Sequence, residues 1–101
     1  MYTEGAIAVA VRHTNGYEYS NLWLELTYSS PDTTVTDTFN VVLADDFGHW
    51  RGKGVGVGYQ VVDTLLRDIT IDATSPIHMR HVMRTDTLAD IQQIGIIFSP
   101  K

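Results

Sequence analysis

The feature that most constrains this chain is a period of two. Ile7, Val9 and Val11 alternate with Ala8, Ala10 and Arg12, and Leu22, Leu24 and Leu26 alternate with Trp23, Glu25 and Thr27. The pattern returns at Phe39-Val41-Leu43, Val55-Val57-Tyr59-Val61, Ile69-Ile71, Met79-His81-Met83 and Ile94-Ile96-Phe98. Successive strand residues point to opposite faces, so each run reads as a half-buried β-strand. Valine, isoleucine and threonine number 10, 8 and 12 of the 101 residues, and β-branched side chains fit a pleated sheet better than a helix. Turn formers separate the runs at Asn15-Gly16, Ser30-Pro31-Asp32, Asp45–Gly52 and Ser75-Pro76. The chain is predicted to be all-β, an antiparallel two-sheet β-sandwich of about seven short strands. The sequence leaves mixed parallel pairing open. Leu88 and Ile91 lie three apart behind a capping residue at Thr85 or Asp86, which predicts one short helical turn near 86–91. No repeat, linker or low-complexity segment interrupts residues 1–101, which read as a single domain.

Composition removes whole classes of function. The chain has no cysteine, so it carries no disulfide, no thiol nucleophile, no cysteine zinc site and no S-lipidation site. Its longest apolar run, Ala6–Val11, is far short of the ~20 residues of a membrane span, and no signal peptide is visible. Twelve acids against 7 bases give a net charge of −5, and the arginines are dispersed, which argues against nucleic acid as a partner.

Motifs that could carry chemistry are few. Asp45, Asp46 and His49 offer the oxygen and nitrogen ligands a metal uses, but adjacent aspartates on an extended chain point apart, and a turn capped by an Asp side chain is the better reading. Gly52, Gly54, Gly56 and Gly58 recur at every second residue, a spacing that fits neither a phosphate-binding nor a dinucleotide-binding loop. They strip one face of a strand, and a large ring such as Trp23 or Trp50 is expected to lie across it. No serine sits in a nucleophile elbow, the four histidines form no triad, and no acid pair stands in an apolar setting. His49 and His78 are expected at the surface, and His81, on the face of Met79 and Met83, half-buried and hydrogen-bonded. No cofactor is expected. Trp23 faces away from its leucine neighbours. If exposed, it would provide a platform for sugar or peptide.

Four stretches together resemble the gliding-motility lipoprotein family known as GldH, of the Bacteroidota. They are Ala10–Thr14 followed by Tyr17–Leu24; Asp37–Leu43 followed by Ala44–Gly54; His81–Arg84; and Leu88–Ile96. The resemblance runs from about Val9 to Phe98, nearly the whole chain. Its most specific parts are Asn21-Leu22-Trp23 and the Leu-Ala-Asp…Gly-x-Trp-x-Gly-x-Gly pattern of Leu43–Gly54. The family-motif positions carried over are Arg12, Tyr17, Asn21, Leu22, Trp23, Asp45, Gly48, Trp50, Gly52, Gly54, Met83, Arg84 and Leu88. On physical grounds Asn21 is expected to bond turn amides, Trp50 to fold over the glycine strand, and Arg12 or Arg84 to pair with Asp45.

The resemblance implies a lipid-anchored protein of the cell envelope, its domain in the periplasm at the outer membrane, linked to gliding and to the type IX secretion machinery. It implies no enzymatic activity. Membrane attachment would come only through a lipid on a cysteine that this chain lacks. Relative to the family the chain also lacks a signal segment and an earlier β segment, so it is expected to be a trimmed soluble part of a lipoprotein, or else a distant homologue in another envelope complex. A trimmed sheet would leave an edge open to edge-to-edge pairing with a second copy. The expected function is non-catalytic docking of other proteins of the motility or secretion apparatus. The alternative is a small glycan- or peptide-binding module using Trp50, Trp23, Tyr59 and the Asp45–His49 loop.

Overall fold

The structure is a computed structural model that describes residues 1–55, 58–84 and 88–101, with the backbone only at Val55. Among the described residues seven strands run in chain order: β1 (Tyr2–Thr14), β2 (Asn21–Ser29), β3 (Thr34–Val42), β4 (Lys53–Val55), β5 (Gly58–Asp72), β6 (His78–His81) and β7 (Ile91–Pro100). They form a four-stranded sheet in the order β4-β5-β1-β7 and a three-stranded sheet in the order β3-β2-β6. Among the described residues every pairing is antiparallel, so the architecture is the expected β-sandwich.

The period-two pattern explains the layers. Ile7, Val9, Val11 and His13 on β1, and Leu22, Leu24 and Leu26 on β2, are fully buried between the sheets. One cluster joins Val9, Val11 and Val61 of the first sheet to Leu22, Leu24 and Val41 of the second; another joins Ile7 and Ile71 to Leu26 and Tyr28. Full burial of an aliphatic side chain contributes about 1.5–3 kcal/mol, so this stripe supplies the main cohesion between layers.

The strands divide differently from the sequence pattern. The runs at 54–61 and 69–72 read as two strands, but Gly58–Asp72 is one strand along β1, and Lys53–Val55 is a separate short strand paired back onto it. The alternation breaks in the middle because β5 carries extra residues. Its register to β1 slips from Gly5↔Ile69 to Ile7↔Leu66 and again to Ala8↔Thr64, and Asp68 adopts a left-handed φ of 53°. Such bulges shift every following side chain by one position and so disguise a continuous strand.

The helical turn expected at 86–91 falls partly on residues 85–87, outside the described residues. Ala89–Asp90 is a turn with Asp90 at φ 70°, and Ile91 already begins β7. Among the described residues there is no helix. Leu88 nevertheless packs against the core, as does Ile91.

Candidate functional site

Several of the motif residues converge on the outer face of the β3-β2-β6 sheet. That face follows from the alternation of β2. With its leucines turned inward, Trp23 must point outward, where it remains 42% exposed. Around it lies a depression of about 520 Å³ lined by Tyr19, Asn21, Trp23, Thr38 and the segment Val82-Met83-Arg84. Asn21 opens β2, and its Nδ2 donates to Asn40 Oδ1 on β3 at 2.7 Å. The Val82 N–H donates to the Trp23 carbonyl at 2.9 Å, and the Trp23 N–H reaches Met83 Sδ at 3.3 Å. The segment after β6 is thereby strapped along β2, which brings Met83 and Arg84 beside the indole. Below the groove Arg80 Nε donates to Glu25 Oε1 at 2.9 Å. Asn21, Trp23, Met83 and Arg84, scattered over more than sixty positions, thus line one site. Among the described residues Asn21 bonds no turn amide. Its side chain bridges β2 to β3, and its carbonyl accepts the Tyr17 hydroxyl at 2.8 Å.

A second group lies elsewhere. Trp50 packs on His13 with ring centroids 4.6 Å apart and on Tyr59 at 6.0 Å, and its Nε1 donates to Asn15 Oδ1 at 2.8 Å. Tyr17 joins this cluster through His13, at 6.1 Å. Burial, with Tyr19 alongside, pushes the Tyr17 hydroxyl pKa up to about 12. His13 is fully buried among these rings, and its Nε2 has no hydrogen-bond partner among the described residues. Sequence reasoning passed over His13. The signal was available, since it continues the inward parity of Ile7, Val9 and Val11. His49 and His78 are exposed as expected. His81 is half-buried as expected, but its buried Nδ1 has no partner among the described residues.

The Asp45–Trp50 loop is closed on itself. Asp45 Oδ1 accepts the N–H groups of Phe47 and His49, both at 2.9 Å, and Oδ2 lies 3.3 Å from His49 Nδ1. These bonds, led by the His49 amide, hold the Asp45 carboxyl below its ordinary pKa. Gly48 makes the turn possible with φ +84°, and an Ala44–Trp50 bridge closes its base. The carboxylate is spent on the loop's own amides, which is the capped turn the sequence suggested. Asp46 stays exposed and outside these bonds, and the described residues contain no group of three acids or histidines placed to hold a metal. Phe47, 86% exposed at the tip, was not singled out from sequence.

Three expectations are corrected. Arg12 donates to Gln60 Oε1 at 2.9 Å instead of pairing with Asp45, whose oxygens the loop already occupies, and no bond joins Arg84 to Asp45 among the described residues. The glycines do not line one strand: Gly54 lies on β4 opposite Tyr59, Gly58 lies on β5 opposite Val55, and Gly56 lies outside the described residues. Among the described residues no ring atom is one of the nearest neighbours of a Cβ placed on Gly52, Gly54 or Gly58. Gly52 is hemmed in by the Gln60 backbone, and Gly54 has no described atom within 4 Å of where a Cβ would stand. Finally, among the described residues Trp23 and Trp50 stand in different clusters, Trp23 in the groove and Trp50 on His13 and Tyr59, and Tyr17 and Tyr19, with ring centroids 5.7 Å apart, link the two.

The profile of the GldH lipoprotein family matches residues 3–97. The chain belongs to the GldH lipoprotein family. No curated protein and no solved structure matches it at a significant level. Membership makes the protein a gliding-motility-related lipoprotein, held at the cell envelope by lipid. The motif residues that gather around Trp23 are therefore features of a family member.

Proposed function

We propose that this domain is a non-catalytic, periplasm-facing module at the outer membrane of a member of the Bacteroidota. In this reading it docks another protein of the gliding or type IX secretion apparatus through the Trp23 groove. The observation that carries the reading is the groove's composition. Trp, Tyr and Arg dominate the binding energy of protein interfaces, and Tyr19, Trp23 and Arg84 all line one depression on this sheet face. The exposed Asp45–His49 pair supports a non-catalytic role, since its carboxylate already serves the loop. The net charge of −5 favours a partner with a basic patch around an apolar anchor.

The test is a photo-crosslinking residue at position 23 in the lipidated parent protein, expressed in its own cells. One discrete adduct with an apparatus protein, absent when the probe stands at position 36, is the expected result. No adduct at position 23 would contradict the proposal. The same groove also suits a small ligand, because the Trp23 ring is open on one side. A panel of oligosaccharides and peptides that shifts tryptophan fluorescence in the wild type but not in Trp23→Ala would favour that second reading.

A further inference from the structure

A sandwich of two open sheets has four edges, and each edge strand offers unpaired backbone groups to a passing strand. Three of these edges are blunted, and the part of β5 beyond Gln60, which β4 does not cover, is interrupted by two register slips and carries Asp63, Arg67 and Asp68. β4 has three residues, and β6 has four and carries Arg80. β3 has nine, but Asp37 lies opposite the buried Leu26, on the strand's inward parity, a charge placed where added pairing would bury it.

β7 is the exception. Its ten residues, Ile91-Gln92-Gln93-Ile94-Gly95-Ile96-Ile97-Phe98-Ser99-Pro100, include no charge, and among the described residues only β1 pairs with it. The Lys101 N–H donates to the Glu4 carbonyl at 2.8 Å. Since amides alternate sides along an antiparallel strand, that bond turns Gln93, Gly95, Ile97 and Ser99 toward β1 and directs the backbone groups of Ile94, Ile96 and Phe98 outward. Ile94 and Phe98 anchor the strand in the two core clusters, while Ile96 and Ile97 stay 37% and 42% exposed.

We infer that β7 is a self-pairing edge, through which two copies of this chain join antiparallel about a twofold axis at Ile96. This register sets Ile96 against its symmetry mate and Ile94 against Phe98, an aliphatic–aromatic pairing made twice, and leaves Pro100, which has no N–H, opposite Gln92. Lys101 then falls opposite Ile91 of the other copy, beside Asp90. Within one chain Lys101 Nζ lies 3.5 Å from the exposed Asp68. A chain of net charge −5 repels itself over most of its surface. The β7 edge escapes this repulsion because it carries no charged side chain along its length. A twofold pairing uses both copies' edges, so it closes at the dimer. The contact is small, and the dimer is weak and concentration-dependent.

The absence of cysteine makes the test direct. In Ile96→Cys the two introduced thiols would sit on strands about 5.5 Å apart at the Cα atoms, within disulfide range. Mild oxidation should convert this variant to a covalent dimer and leave Val62→Cys, exposed on β5, largely monomeric. Sedimentation of the unmodified chain should show its mass rising above 11.3 kDa with concentration. Ile97→Lys, which brings two like charges together near the axis, should weaken association about tenfold or more while the far-ultraviolet spectrum and melting midpoint hold. A strict monomer at roughly millimolar concentration would overturn the inference. So would equal crosslinking of the two cysteine variants, or undiminished association of Ile97→Lys.

Discussion

Gly52 and Gly54 stand two residues apart in the same motif, yet the structure gives them opposite sensitivities. A Cβ on Gly52 would lie 2.6 Å from the Gln60 carbonyl oxygen, 2.8 Å from its carbon and 3.0 Å from Val61 Cγ2. Non-bonded carbon contacts settle near 3.5–4.0 Å, so the chain entering β4 must move away from β5 by roughly 0.8 Å just before Lys53 pairs with Gln60. Overpacking of this kind costs about 1–3 kcal/mol, against a gain of about 0.4–1 kcal/mol from a stiffer unfolded chain. Gly52→Ala is therefore expected to lose about 1–2 kcal/mol. Gly54→Ala meets no described atom within 4 Å and is expected to be neutral, or to gain about 0.5 kcal/mol. The gap of about 2 kcal/mol corresponds to roughly 10 °C in melting midpoint for a domain of this size. Urea and thermal melts of both variants, followed by circular dichroism, measure it. Equal midpoints, or a larger loss at Gly54, would refute the reasoning that places Gly52 against the β5 backbone.

Two further outcomes follow from hydrogen bonds. Bonds from Thr74 and Ser75 hold the Asp72 pKa down at about 2, against an ordinary 3.8. A carboxyl with a lowered folded-state pKa contributes stability that is complete above the unfolded value and is lost as pH falls through the folded one. The wild type should therefore lose stability between about pH 4 and pH 2, and Asp72→Asn should flatten that part of the profile in acid melts. Tyr17→Phe removes the 2.8 Å bond to the Asn21 carbonyl and should cost about 1 kcal/mol. It should also delete the tyrosine absorbance step near pH 12 in an alkaline titration.

The sheets were legible in the sequence because burial on one face forces alternation, and Ile7 to His13 and Leu22 to Leu26 keep it without a break. What misled was the pair of register slips between Thr64 and Ile69, which break the alternation in mid-strand and made β5 look like two strands. The glycine run misled for a related reason, since its alternation carries across two separate strands, β4 and β5. The outward aim of Trp23 was readable from its own strand. Its meeting with Met83 and Arg84 was not, because that depends on β6 pairing with β2 across some fifty intervening residues. His13 shows the converse failure: its parity announced burial, but the ring cluster around it is assembled from Trp50 and Tyr59, far along the chain.

The central claim is that the Trp23 groove is where this lipoprotein meets its apparatus. Its most direct test is single-cell gliding in cells whose only copy is the lipidated parent carrying Trp23→Ala with Arg84→Glu. Thr64→Ala, exposed on the other sheet, is the control. With envelope levels matched, the account predicts that gliding is lost in the groove variant and kept in the control. Normal gliding in the groove variant would contradict it.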